Sequence, residues 1–308
     1  MAQVGIQLNK ILIATDFSVN AKIALARAVD VTLAFGSQLT AVHCLPDLSF
    51  VPTASEFGMP FNDYMAIQEE FRKEAVESMK GFLSGSVPQG LSVGSTMLVG
   101  DPHVEISIYA EQEKADLVVA GRSGHSGWEA FFLGSTSRGL VHRCPTSVLS
   151  VSESLTQKPR TILAGTDFSE CSRTAVLEAI AFAEKFGAEL HLMHIIDTTD
   201  TPQPNVARIS GHDSMRQSIN DFAQSRLEAF IQSLDCSIPI NLHLDWGTPW
   251  RDMCQLATKL HTDLVVIGNV GRRGVQGLFL GNTADRILSH CKASVLAVKS
   301  YKHPSSPS

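Results

Sequence analysis

The chain has 308 residues, is 44% hydrophobic and 18% charged, and carries a formal net charge of −6. That length suits two domains of ordinary size, the apolar content excludes a disordered polymer, and no basic excess draws it to nucleic acid or an anionic membrane. No apolar run reaches membrane-spanning length, Met1 to Lys10 lacks the order of a secretory leader, and the six cysteines form no CxxC pair; a cytoplasmic protein with buried thiols is expected, not a disulfide scaffold or a zinc site.

The predicted elements begin with Lys10 to Ala14, an apolar strand running into Thr15-Asp16-Phe17-Ser18. Ser18 is the expected N-cap of a helix that reaches Phe35 and stops at Gly36, a residue suited to the left-handed position after a helix. Leu39 to Leu45 is a second strand, and Pro46 to Pro60 is Pro-rich and irregular. A long helix from Asn62 to Leu83 and a third strand from Leu91 to Val99 follow. Gly100-Asp101-Pro102 turns into another helix, with Pro102 near its first position. Asp116 to Ala120 is a fourth strand, apolar throughout its core as a strand buried on both faces should be. It runs into Gly121-Arg122-Ser123-Gly124, nine further residues, and Gly134-Ser135-Thr136, which opens a helix to Arg143. Pro145 to Val151 is a fifth strand.

The order then restarts. Thr161 to Ser169 repeats Lys10 to Ser18 in pattern, Phe186-Gly187 repeats Phe35-Gly36, and Gly247-Thr248-Pro249 repeats Gly100-Asp101-Pro102. Gly268-Asn269-Val270-Gly271, nine residues and Gly281-Asn282-Thr283 repeat the glycine pattern at identical spacing. The reading is an internal duplication, with domains at 1–152 and 161–308 and a linker at 153–160. Strands alternating with helices predict an α/β fold: two tandem doubly wound domains, each with a five-stranded parallel sheet in the order 3-2-1-4-5. Ligands settle at the carboxyl ends of such strands, at the switch point between the first and fourth. That rule brings Asp16 together with Gly121, and Asp167 with Gly268.

A glycine loop between a buried strand and a helix N-terminus aims backbone N–H groups at a phosphate. The plainer reading is that the glycines only let the chain turn, but three fixed glycines in two copies exceed what one turn requires. Gly124 or Gly271 would let the backbone approach a phosphate, Gly134 opens the helix, and Ser135 and Thr136 supply hydroxyls. Asp16 and Asp167 either serve the helix start or accept hydrogen bonds from a ribose or adenine; like charge keeps them off the phosphates. Arg122, Arg272 and Arg273 either neutralise phosphate or are solvated. His191 and His194, three apart on a strand, face opposite sides and are not a metal pair; His43 and His194 are read as packing positions. The chain has no GxxxxGK[ST] loop, GxSxG elbow or HExxH helix, and nothing nominates a general base.

With Ala14-Thr15-Asp16-Phe17-Ser18, Val99 to His103 and the Gly121-x-x-Gly124-x9-Gly134-Ser135-Thr136 signature in hand, the chain resembles a tandem universal stress protein from about Lys10 to Val298. The resemblance implies the adenine-nucleotide α-hydrolase-like fold and binding of ATP or another adenine nucleotide, with Mg as an accompanying ion. Ala14, Thr15 and Asp16 would line the adenosine part, Cys44 would touch the adenine through its backbone, and Gly121, Arg122, Gly124, Gly134, Ser135 and Thr136 would hold ribose and phosphates. The second set would be Asp167, Ile195, Gly268, Gly271, Gly281, Asn282 and Thr283. Asn282 departs from the usual Ser or Thr; a lost hydrogen bond to a charged phosphate costs about 1.5–3 kcal/mol, so the first site ranks above the second. The implied role is a stress-response regulator with no catalytic residues. The alternatives are an interaction protein with vestigial pockets and a slow ATPase. Expected partners are the nucleotide and an unidentified protein, neither nucleic acid nor membrane. The fifth strands, Ser147 to Leu149 and Ser294 to Leu296, would pair as an intrachain pseudo-dimer, with a further homodimer open.

Overall fold

The computed structural model describes residues 6–47, 61–123, 134–155, 157–197, 212–234, 236–269 and 280–299. Gln7–Lys158 form one compact unit, and the chain from Pro159 on forms the body of a second.

The first unit contains β1 (Lys10–Ala14), α1 (Val19–Phe35), β2 (Gln38–Leu45), α2 (Phe61–Ser84), β3 (Val93–Val99), α3 (Pro102–Gln112), β4 (Leu117–Gly121), α4 (Ser135–Arg143) and β5 (Ser147–Val151). Its strands are parallel and lie in the order β3-β2-β1-β4-β5. The second unit repeats the plan with β6 (Thr161–Gly165), α5 (Glu170–Phe186), β7 (Glu189–Asp197), α6 (His212–Gln232), β8 (Ile240–Gly247), α7 (Pro249–Lys259), β9 (Leu264–Gly268), α8 (Asn282–His290) and β10 (Ser294–Val298). Its order is β8-β7-β6-β9-β10, again parallel. The expected 3-2-1-4-5 topology is therefore present in both units.

Local chemistry explains the element boundaries. Ser18 caps α1 by accepting from the Ala21 N–H at 3.1 Å, and Ser169 caps α5 from the Ser172 N–H at 3.2 Å. Gly36 and Gly187 end those helices at φ +72° and +65°, a conformation that costs a residue with a Cβ more than it costs glycine. Ile11, Leu12, Ile13, Leu117, Val118 and Val119 are fully buried, as are Ile162, Leu163, Val265 and Val266. Central strands covered by helices on both faces require this unbroken apolar run. At the amino ends, the Asp116 carboxylate accepts from the Asn9 and Lys10 N–H groups at 2.7 and 3.0 Å. Asp263 does the same for Arg160 and Thr161 at 2.8 and 3.1 Å. Each aspartate fixes the register of the first strand against the fourth, leaving the opposite edge for a ligand.

All six cysteines are thiols. Cys144, Cys171 and Cys291 are buried as expected, whereas Cys44, Cys236 and Cys254 are half-buried. Among the described residues no helix is long and apolar enough to cross a membrane.

Candidate functional site at the parting of the first and fourth strands

In the first unit β1 and β4 pair in register up to Ala14 and Ala120. There the backbones part. The Thr15 N–H donates to the Val42 carbonyl of β2 at 3.0 Å, while the Arg122 N–H donates to the Val151 carbonyl of β5 at 2.9 Å. Each chain is held by its outer neighbour, and a crevice opens between them. The second unit does the same: Thr166 N–H bonds to Met193 O at 2.9 Å and Asn269 N–H to Val298 O at 3.0 Å.

On one side of the crevice stands the turn that carries Asp16. Ala14 and Thr15 are buried, and the Thr15 hydroxyl accepts from the Phe17 N–H at 2.9 Å. Asp16 Oδ1 accepts from the Ser18 N–H at 3.0 Å, so the carboxylate has a structural role at the helix start. Phe17 holds φ +63°, and its counterpart Phe168 has the same value. A non-glycine residue in that region costs about 1–3 kcal/mol, and the surroundings fix it. The Phe17 ring lies 4.3 Å from His43 and 5.8 Å from Phe82. His43 Nδ1 sits 2.8 Å from the Thr15 carbonyl oxygen. Phe168, His194, Phe230 and Thr166 repeat the cluster, with the Arg226 guanidinium 4.6 Å from the Phe168 ring. His43 and His194 are thus packing residues, as their repeat positions suggested.

On the other side is the glycine loop. A Cβ added to Gly121 would lie 3.0 Å from the backbone carbonyl of Asn20, and one added to Gly268 would lie 2.9 Å from Cys171 Sγ. The first glycine of each signature therefore lets the first turn of α1 or α5 close on the strand end. Gly134 is the N-cap of α4 at φ −60°, and its N–H donates to the Arg122 carbonyl at 2.7 Å. Gly134 has no side chain with which to cap α4, and the half-buried Thr136 and the exposed Ser135 stand in the helix's first turn. Gly281 repeats this at φ −66°, its N–H bonded to Asn269 O at 2.7 Å, but Asn282 and Thr283 are both exposed. Arg122 is buried where the second unit has Asn269. Gly124, Gly271, Arg272 and Arg273 lie outside the described residues, as does most of the Pro46 to Pro60 segment.

Cys44 lies on β2 beyond Val42, and Ile195 is its counterpart on β7. Cys44 Sγ faces the Pro102 carbonyl at 3.9 Å. Burial, then the Glu105 and Asp101 carboxylates, push its thiol up to about 12, so Cys44 is neutral and has no nucleophilic character at neutral pH. At the start of α3, Asp101 accepts from the His103 N–H, and the His103 ring fills the space where a Cβ of Gly139 would stand. Trp250 and Arg286 occupy those positions in the second unit, 5.5 Å apart.

His191 and His194 are confirmed as separate. His194 points to Thr166, while His191 Nδ1 meets His243 Nε2 at 2.9 Å. Sequence reading also missed Asn20, Ser123 and Glu153. Asn20 Nδ2 donates to Ser123 Oγ and Glu153 Oε1 at 2.7 and 2.8 Å. The available signal was a break in the repeat: Asn20 and Ser123 become Cys171 and Val270.

The family model for the universal stress protein family matches twice, at residues 7–152 and 158–299. A universal stress protein of Mycobacterium tuberculosis is 27% identical over 274 residues, covering 85% of this chain and 87% of that one. One from Synechocystis is 34% identical over 151 residues, 46% of this chain and 96% of its own length. The crystal structure of a universal stress protein from Archaeoglobus fulgidus superposes with a TM-score of 0.63 at 20% identity, covering 96% of this chain and 99% of that one.

Proposed function

Because the chain belongs to the universal stress protein family, as two such domains in tandem, we propose that its first half binds ATP or a related adenine nucleotide. Mg2+ would accompany the phosphates. In this reading the protein is a stress-response regulator that signals through nucleotide occupancy, not a dedicated catalyst.

The observation that carries the reading is the parting of β1 and β4 beyond Ala14 and Ala120. It sets the Asp16 carboxylate and the glycine-led N-terminus of α4 on opposite sides of one crevice. The donor set fits the ligand. Backbone N–H groups of α4 and the Ser135 and Thr136 hydroxyls suit phosphate oxygens, and the helix dipole favours their charge. Asp16, held beside the Ser18 N–H, suits a ribose hydroxyl or an adenine amino group and is repelled by phosphate. The register of β2 with β1 ends at Val42, so on that side the Cys44 backbone would offer its groups to a base. Mg2+ is a hard cation that takes phosphate oxygens and water, so it asks for no dedicated protein cage. The second half carries the same plan with Asn282 and Asn269 in place of Ser135 and Arg122, and we assign it the weaker site.

Calorimetric titration of ATP into the wild type, Gly134→Val and Gly281→Val tests the assignment. Valine at an N-cap costs about 1 kcal/mol of helix stability, so both variants should keep their circular dichroism. Gly134→Val should lose at least about tenfold in its tightest ATP affinity, the equivalent of one charged hydrogen bond, and Gly281→Val should not. Unchanged affinity in Gly134→Val would remove the first site from the reading.

A further inference from the structure

We propose that Asn20, Ser123 and Glu153 form a latch that positions the glycine loop of the first half for its anionic ligand. The inference rests on the nucleotide-binding reading and names Asn20 and Glu153, which lie outside the signature, and Ser123, at a position the signature leaves open.

Asn20 Nδ2 donates to Ser123 Oγ at 2.7 Å and to Glu153 Oε1 at 2.8 Å. The Ser123 hydroxyl donates to the same carboxylate oxygen at 3.0 Å. The three side chains close a triangle, and they come from three separate segments: the first turn of α1, the loop after β4 and the chain just past β5. Ser123 is buried and directly precedes Gly124. Asn20 follows the Asp16 turn, and its backbone carbonyl leaves no room for a Cβ on Gly121. One node thus ties the turn bearing Asp16 to the loop bearing Gly121, Arg122 and Ser123.

Hydrogen bonds to a carboxylate are stronger than neutral ones, by a reduced margin at an exposed carboxylate such as Glu153, which water screens. A loop held in its binding conformation before the ligand arrives loses less freedom on binding. The latch therefore acts through the loop, and Glu153 is a positioning residue. The second half supplies an internal contrast. Cys171 stands in the place of Asn20, and its Sγ donates to Asn269 Oδ1 at 3.4 Å and Val298 O at 3.6 Å. Those are weak thiol contacts, and the sequence has Val270 and Ser300 where the first half has Ser123 and Glu153. The latch is thus a property of the first unit, the same unit that keeps Ser135 and Thr136.

The test compares the full-length wild type with Glu153→Ala and Glu153→Gln, by ATP and adenosine titration and by amide hydrogen exchange of Leu117 to Ser123 without ligand. Glu153→Ala should exchange faster across this peptide and bind ATP roughly five- to tenfold more weakly. Its adenosine affinity and thermal midpoint should stay close to wild type. Glu153→Gln keeps an acceptor without the charge and should recover a large part of both exchange protection and ATP affinity, which a general loss of structure would not do. Wild-type exchange and wild-type ATP affinity in Glu153→Ala would overturn the latch. If the wild type binds no ATP, the nucleotide reading falls by itself. The exchange data then decide the latch: acceleration in Glu153→Ala, largely reversed in Glu153→Gln, keeps it, and unchanged exchange overturns it.

Discussion

The ring of Phe17 lies 4.3 Å from the ring of His43, and His43 reaches back to the carbonyl of Thr15, the residue two before Phe17. One histidine thus braces both ends of a turn whose middle residue is Asp16. The brace explains how a phenylalanine holds φ +63° where glycine is the usual occupant.

Two substitutions separate the ring from the backbone. Phe17→Ala removes the ring packing and leaves a Cβ in a disfavoured conformation. Phe17→Gly removes the same packing but also the conformational cost. Both should be less stable than wild type, and glycine should be the better of the two by about 1 kcal/mol, the reverse of the usual order of alanine and glycine. Urea unfolding midpoints read the difference. A glycine variant less stable than the alanine variant would show that the left-handed turn is not strained.

Gly121 and Gly268 are close-approach glycines. Gly121→Ala would place a Cβ 3.0 Å from the Asn20 carbonyl, and Gly268→Ala would meet Cys171 Sγ at 2.9 Å and the Cys171 backbone at 3.1 Å. Overpacking of this kind costs about 1–3 kcal/mol. Each variant should unfold at lower denaturant. Combining Gly268→Ala with Cys171→Ala should recover only part of the loss, because the backbone contact remains. Full recovery would mean that the sulfur alone sets the limit.

The second unit has a proton-sensitive edge. His243 on β8 meets His191 at 2.9 Å, and Glu189 lies 3.3 Å from the other His191 nitrogen. Burial, then His191 and Lys259, hold the His243 imidazole below its usual range. The unfolded chain therefore binds a proton at His243 near pH 6.5, before the folded one does. The stabilisation this neutral imidazole gives is present above about pH 6.5 and is lost as pH falls toward its folded value. His243→Gln should flatten the decline in unfolding midpoint between neutral and mildly acidic pH. An unchanged slope would exclude His243 as its source.

Cys44 should be a poor nucleophile. With its thiol pushed up to about 12, the thiolate fraction at pH 8 falls well below that of an ordinary cysteine. Iodoacetamide at that pH should leave Cys44 unmodified in the native protein and alkylate it after denaturation, as read by peptide mass spectrometry. Rapid native alkylation would contradict the burial and the two neighbouring carboxylates.

The sheet order was legible because each strand core is an apolar run punctuated by residues with one local job, such as the capping Ser18 and the helix-ending Gly36. Repetition doubled every such signal. The crevice was legible too, since topology alone places Asp16 beside Gly121. What stayed hidden depends on distance in the chain. Asn20 and Glu153 are 133 residues apart, and no local pattern pairs them. Nothing in the composition around Phe17 marks a left-handed residue, because the cost is met by His43 and Phe82 from other elements. The His191–His243 contact likewise crosses two strands and has no counterpart in the first unit, so the repeat could not flag it. Asp16 kept two readings in the sequence; its bond to the Ser18 N–H establishes the structural one, and the ligand-binding one is the proposal.

The central claim is nucleotide binding, and the most direct measurement is the nucleotide content of the purified protein. Denaturing it and separating the supernatant by liquid chromatography should release an adenine nucleotide in an amount close to one per chain, and Gly134→Val should abolish that release. No released nucleotide, together with no calorimetric binding of added ATP, would contradict the account and leave an interaction protein whose crevices serve its fold alone.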